Sequence, residues 1–199
     1  VTDIVALRGD PPKGSSGFVP HPDGFASSVD LIEGLREAGD FTIRVGAYPD
    51  THPEAADAQA DVSYLKRKFD AGASEALTQF FFEAETFLRF RDKCAAAGID
   101  KQITPGILPI ENWKGARNFA TRCGTPVPAW LDDAFEKALR DGREDLRPVG
   151  AGIAGRQRPH GLGELGGRHV DEPVAVPVRQ RSTVGRRAGV LHQRADDVV

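Results

Sequence analysis

Polar residues or a proline-bounded turn follow or interrupt four short apolar runs, and chemistry is to be sought there. Arg8 and Asp10 follow Ile4-Val5-Ala6-Leu7, Tyr48 and His52 follow the run from Phe41 to Ala47, Gln79 stands inside the run from Ala76 to Phe82, and Pro105 to Pro109 closes the run that starts at Gln102. Asp10 precedes two prolines that stiffen its turn, and an Asp there could serve a ligand or only cap the loop. Arg8-Gly9-Asp10 sits at a strand end, so it does not read as an exposed adhesion loop. His52-Pro53-Glu54-Ala55 leads into a helical stretch whose N-terminus could meet a phosphate, or His52 could simply cap that helix. A buried Gln79 needs a partner, because an unpaired polar group costs about 1–3 kcal/mol; ligand and backbone are both open. Asp61, Arg67 and Lys68 lie on the next helix, where a solvated charged face is the plain alternative.

The elements that must position these residues follow from the periodicity. Strands are expected at 4–7, 41–47, 76–82 and 102–108. Helices are expected at 28–38, 55–71, 84–97, 113–121 and 128–139. Val62, Leu65 and Phe69 recur three and four residues apart, as on one helical face. Strand, loop and helix alternate four times, which predicts an α/β fold with a parallel sheet of βα units. The strand runs are almost wholly apolar, as expected of strands buried on both faces. In such folds ligands bind at the carboxyl ends of the strands. The polar clusters therefore belong around one shared mouth.

Composition narrows the partners. A formal net charge of −3 over 199 residues gives no broad positive field, so neither nucleic acid nor an anionic membrane is expected as a partner. Cys94 and Cys123 have no metal-ligand spacing; no metal site is expected, and two lone thiols suit a reduced, cytoplasmic setting. No apolar run approaches the roughly 20 residues that span a bilayer.

Residues 155–199 differ from the rest. They hold eight arginines, at 156, 158, 168, 179, 181, 186, 187 and 194, with no Lys, Phe, Tyr, Trp or Ile. Such a stretch cannot bury enough apolar area to offset its ordering entropy, so disorder is expected. Arginine-rich tails can bind RNA or acidic partners. The plainer expectation is a GC-rich gene read out of frame. Two domains are expected: a folded part over 1–154 and this tail.

Five segments in order resemble the methylenetetrahydrofolate reductase family: Ile4-Val5-Ala6-Leu7-Arg8-Gly9-Asp10-Pro11-Pro12; Ala47-Tyr48-Pro49 with His52-Pro53-Glu54-Ala55; Leu65-Lys66-Arg67-Lys68 with Asp70-Ala71-Gly72-Ala73; Thr78-Gln79-Phe80-Phe81-Phe82; and Pro105-Gly106-Ile107-Leu108-Pro109. The resemblance covers residues 1 to about 154. It implies a (β/α)8 TIM barrel, here with about four central βα units. It also implies an FAD flavoprotein that takes hydride from NADH or NADPH and reduces 5,10-methylenetetrahydrofolate to 5-methyltetrahydrofolate. Asp10 would then stand beside the flavin ring and help stabilise a cationic folate intermediate, tuning the flavin by like-charge repulsion. Arg8, Gly9, Asp10, Tyr48, His52, Glu54, Ala55, Asp61, Arg67 and Lys68 would hold FAD. Asp10, Gln79 and Phe119 would hold folate, although a Phe on an amphipathic helix can equally be core. Tyr64 stands where some relatives carry Asn, Ser27-Ser28 where some carry Tyr-Ala, and Gly115 where some carry Gln.

The resemblance places the family's proton-donating Glu on a strand before Val1, and an eighth-strand motif in the tail, where none is found. The chain is therefore expected to be an inactive fragment, though complete family members form homo-oligomers. A truncated or frameshifted product with no activity of its own is the alternative. A phosphate-binding aldolase barrel is a weaker one, since no strand end supplies a catalytic lysine.

Overall fold

A computed structural model describes residues 1–9, 11, 14 and 17–142, with the backbone of 174–175. Asp10 and nearly all of the tail, including its expected disorder, lie outside the described residues. Strands β1 (Asp3–Ala6), β2 (Thr42–Ala47), β3 (Glu75–Thr78) and β4 (Gln102–Thr104) form one sheet in that order, each pair parallel. Helices α1 (Ser28–Ala38), α2 (Ala58–Asp70) and α3 (Ala84–Ala96) make the crossovers. Strand β5 (Gly106–Ile107), α4 (Trp113–Cys123) and α5 (Ala129–Arg140) follow, and β5 pairs in parallel with β6 (Val174–Ala175). The fold is the expected α/β arrangement of βα units, an arc of a TIM-type barrel that is not closed among the described residues.

Local chemistry sets the boundaries. Ser27 caps α1 by accepting from the Asp30 N–H, and Asp57 caps α2 by accepting from the Ala60 N–H at 2.7 Å. The Asp57 cap is why α2 starts at Ala58 rather than at 55. Strand β3 stops at Thr78, short of the expected 82, because the Gln79 side chain takes the Phe80 N–H at 3.1 Å in place of a ladder partner. Phe80, Phe81 and Phe82 are buried all the same. The expected strand 102–108 is split at Pro105, which lacks a ladder donor. In the tail, the pair 174–175 makes a strand too short to show a period.

Two apolar clusters hold the elements. Ile43 and Val45 of β2 and Ala76 of β3 pack against Ile32 of α1, Val62, Leu65 and Phe69 of α2, and Phe90 and Cys94 of α3. Each fully buried Ile, Leu or Phe contributes roughly 1.5–3 kcal/mol. Burial pushes the Cys94 thiol up to about 12, so it stays neutral and acts as a small apolar group. The second cluster joins Phe80, Leu108 and Ile110 to α4 and α5, with the Trp113 ring stacked on Phe135 at 4.8 Å.

The other face of the sheet corrects the expectation of strands buried on both sides. Along β2 burial alternates, with Ile43, Val45 and Ala47 turned to the helices and Arg44 and Gly46 to the opposite face. There Arg44 joins Asp3 at 2.9 Å and Glu75 at 2.8 Å, and Thr104 donates to Glu75. On β1 and just past it, Val5 and Leu7 are 48% and 60% exposed. The sheet is not wrapped into a closed cylinder among the described residues, so this face meets solvent.

Gly106 shows how tightly the strand ends are joined. Its N–H donates to the Thr78 hydroxyl at 2.9 Å, and a Cβ at this position would stand 2.2 Å from the Thr78 carbonyl oxygen. Backbone cannot give way as a flexible side chain does. Gly106→Ala is expected to destabilise the chain by about 1–3 kcal/mol, read as a shifted urea midpoint with an unchanged slope.

Candidate functional site

A cleft of about 330 Å³ opens at the carboxyl ends of β1 and β2. This is at the small end of ligand sites, which run roughly 300–1,000 Å³. Arg8 enters it from the end of β1. Tyr48, His52, Glu54 and Ala55 enter from the loop after β2, and Asp61, Tyr64 and Lys68 enter from α2. Ser28 closes it from the start of α1. The α2 residues come together because positions 61, 64 and 68 fall on one helical stripe. Val62, Leu65 and Phe69, each one residue on, fix that stripe's direction by packing into the core.

Lys68 is the most buried charge in the wall, at 9% exposure. Its ammonium donates to the Gly46 carbonyl at 2.8 Å. Burial depresses its pKa, and the nearby Asp61 carboxylate opposes that shift. Asp61 also anchors the loop, since its Oδ2 accepts the His52 N–H at 2.8 Å. The His52 ring meets Tyr48 edge-on at 4.5 Å, and its Nδ1 accepts from the Glu54 N–H at 3.0 Å, which in the neutral ring leaves the hydrogen on Nε2. Glu54 pairs with Arg8 at 2.6 Å across the mouth, and that bond lowers the Glu54 pKa and raises that of Arg8. Arg8 also lies over the Phe18 ring at 4.8 Å. The Arg8–Glu54 pair is solvent-exposed, so its main effect is to orient the mouth rather than to stabilise the fold.

Of the residues singled out from the sequence, Arg8, Tyr48, His52, Glu54, Ala55, Asp61 and Lys68 line this cleft. Gly9 and Arg67 are exposed and not part of its wall. Asp10 lies outside the described residues. Gln79 sits at the same end of the sheet, its N–H donating to the Ala47 carbonyl at 2.8 Å, but it does not line the cleft. Its placement just past β3 corrects the reading that set it within a strand. Phe119 is on α4, stacked against Phe80 at 5.3 Å in the second apolar cluster and also outside the cleft wall. Ser28 and Tyr64 are wall residues that the sequence reading treated only as departures from relatives. The 61-64-68 spacing was the signal for Tyr64. Ser28 had none, since it joins the site only when α1 packs beside α2. Among the described residues no group of His, Cys, Asp and Glu is placed to hold a metal ion, and no helix is long and apolar enough to cross a membrane.

What the cleft offers is a buried cation, three hydroxyls and an aromatic pair at the strand ends, a set suited to a polar ligand with both rings and negative charge. The family model for methylenetetrahydrofolate reductase matches residues 1–157. This chain belongs to the methylenetetrahydrofolate reductase family. It is 52% identical over 154 residues to the 5,10-methylenetetrahydrofolate reductase of Escherichia coli (strain K12), covering 77% of this chain and 50% of that protein. Over 165 residues it is 40% identical to methylenetetrahydrofolate reductase (NADH) 1 of Arabidopsis thaliana, covering 77% of this chain and 28% of that one. The chain thus spans about half the length of its bacterial relatives. A solved Clostridium thermocellum protein, described as binding two copies of 5-methyl-5,6,7,8-tetrahydrofolic acid, overlays with a TM-score of 0.48 at 16% identity, covering 64% of this chain and 44% of that one. That overlay is too slight to bear on function.

The Asp61 contact and the Lys68 burial each predict a measurable change. Asp61→Ala is expected to cost about 1–2 kcal/mol in thermal or urea unfolding and to speed amide exchange at His52. The folded pKa of Lys68 lies below the unfolded one, so between the two the unfolded chain holds a proton the folded chain has released. Stability therefore gains from this group as pH rises towards about 10.4, and the full penalty applies below the folded value. Lys68→Met is expected to remove that alkaline gain, seen as a flatter stability profile than the parent's over the same range.

Proposed function

We propose that this chain carries the flavin-holding part of an enzyme that reduces 5,10-methylenetetrahydrofolate to 5-methyltetrahydrofolate at the expense of NADH or NADPH. The observation that carries the reading is the cleft itself. Seven residues that the family resemblance assigns to FAD lie around one cavity at the strand ends.

The residues present fit such a group. The Lys68 ammonium is held ready inside the wall, with one donor spent on Gly46, and a diphosphate would take the others. Tyr48 and His52 supply ring faces and edges, and Arg8 adds a second cation at the mouth. A bound flavin would supply the hydride relay between pyridine nucleotide and folate. The protein's part is to bind and orient it, with Asp61 fixing the loop that carries His52. Asp10 is proposed to lie near the reacting rings, with Gln79 and Phe119 on the folate side. The cleft's volume suits one end of a dinucleotide rather than the whole of it. We assign the reaction to the cytoplasm and to residues 1–154, with 155–199 as a separate tail.

A second reading, that the polypeptide by itself is without reductase activity, is favoured by one observation. The outer edge of β1 carries no partner strand among the described residues, and Val5 and Leu7 beside it are exposed. Flavin binding and turnover separate the two. The purified chain is expected to quench FAD fluorescence on titration, with Lys68→Met weakening binding about 10- to 100-fold, the loss of one charge-assisted hydrogen bond. Colourless protein with no quenching would overturn the flavin reading. FAD binding without turnover of methylenetetrahydrofolate would support the second reading.

A further inference from the structure

Tyr64 belongs to the cleft wall, and three contacts converge on it. Its hydroxyl stands 3.0 Å from Ser28 Oγ, a buried side chain on the first residue of α1. That bond joins α1 to α2 across the cleft. The Lys68 ammonium lies 5.1 Å from the centre of the Tyr64 ring, and the Arg67 guanidinium lies 5.4 Å from it. Arg67 is exposed and stands off the cleft wall, and its one contact with a wall residue among those described is with this ring.

The physics of that arrangement differs from an ion pair. Two cations on consecutive residues repel one another, and each side chain costs entropy to hold still. A carboxylate would order them but cancel their charge. An aromatic face attracts them through its quadrupole and leaves the net charge available to an anion. Asp61 does act on Lys68, but its carboxylate is already engaged by the His52 N–H.

We propose that Tyr64 is a positioning residue of this cleft: clamped to α1 through Ser28, it holds Lys68 and Arg67 against its ring and so presents an ordered cation pair to the diphosphate of a dinucleotide. The proposal rests on the flavin reading above and names the part of the ligand this corner recognises. It places FAD above riboflavin in affinity, since only FAD carries the diphosphate.

The test uses the full chain, with FAD and riboflavin titrated separately by flavin fluorescence. Tyr64→Leu is expected to weaken FAD about tenfold, to leave riboflavin binding within twofold and to flatten the salt dependence of FAD binding, while Tyr64→Phe keeps FAD within about threefold. Arg67→Gln, an exposed change, is expected to weaken FAD severalfold in the parent and to add nothing to Tyr64→Leu, because its charge acts through the ring. Equal loss of FAD and riboflavin in Tyr64→Leu means a merely structural role and overturns the proposal, as does an additive effect of Arg67→Gln. Should Tyr64→Leu fail to fold by circular dichroism, Tyr64→Gln keeps a polar reach to Ser28 without the ring and is held to the same expectations. A parent chain that binds neither flavin overturns the flavin reading and this proposal together. A parent that binds FAD while Tyr64→Leu binds it equally well overturns this proposal alone.

Discussion

The cleft depends on one costly placement, an ammonium taken almost wholly out of water and left with a backbone carbonyl, an aromatic ring and a nearby carboxylate that offsets only part of the cost. Lys68 is 9% exposed, bonded to Gly46 and close to the Tyr64 ring. Burying a charge disfavours its ionised form, and the depressed pKa of Lys68 records that cost. A core with no further task would place a neutral side chain here. The helix instead gains its stability one residue away, from Val62, Leu65 and Phe69, and turns the charged stripe towards the strand ends.

Around that cation the other wall groups divide the work. Asp61 fixes a loop, Glu54 aligns Arg8, and Ser28 ties α1 to α2 through Tyr64. These are local bonds between elements that the apolar clusters already hold in place. The site is carried partly on the segments just beyond the ends of β1 and β2, as is general for parallel α/β folds, and partly on one stripe of α2 and the start of α1.

The second apolar cluster explains why Gln79 and Phe119 stand apart from the cleft. Phe80 and Phe119 stack within it, and Gln79 turns its carboxamide oxygen back on the Phe80 N–H. This corner is built on the segments that follow β3 and β5 and on α4 and α5, rather than on α1 and α2. In the proposed reaction, flavin and folate would thus meet different parts of the fold.

The order of strands and helices was legible in the sequence, because hydrophobic period is a local signal, while caps such as Asp57 set the bounds that period alone misplaced. So was the gathering of Arg8, Tyr48 and His52 at one rim, since parallel βα units put every strand end on the same side. What the sequence could not decide was where strands stop when side chains compete for backbone, as Gln79 does, or where a proline splits one, as Pro105 does. It also could not say that Ser28 and Tyr64 would face each other across 36 positions of chain. Periodicity is a property of neighbours a few residues apart. The pairing of two helix faces depends on the packing of the whole core, and only the tertiary structure carries that information.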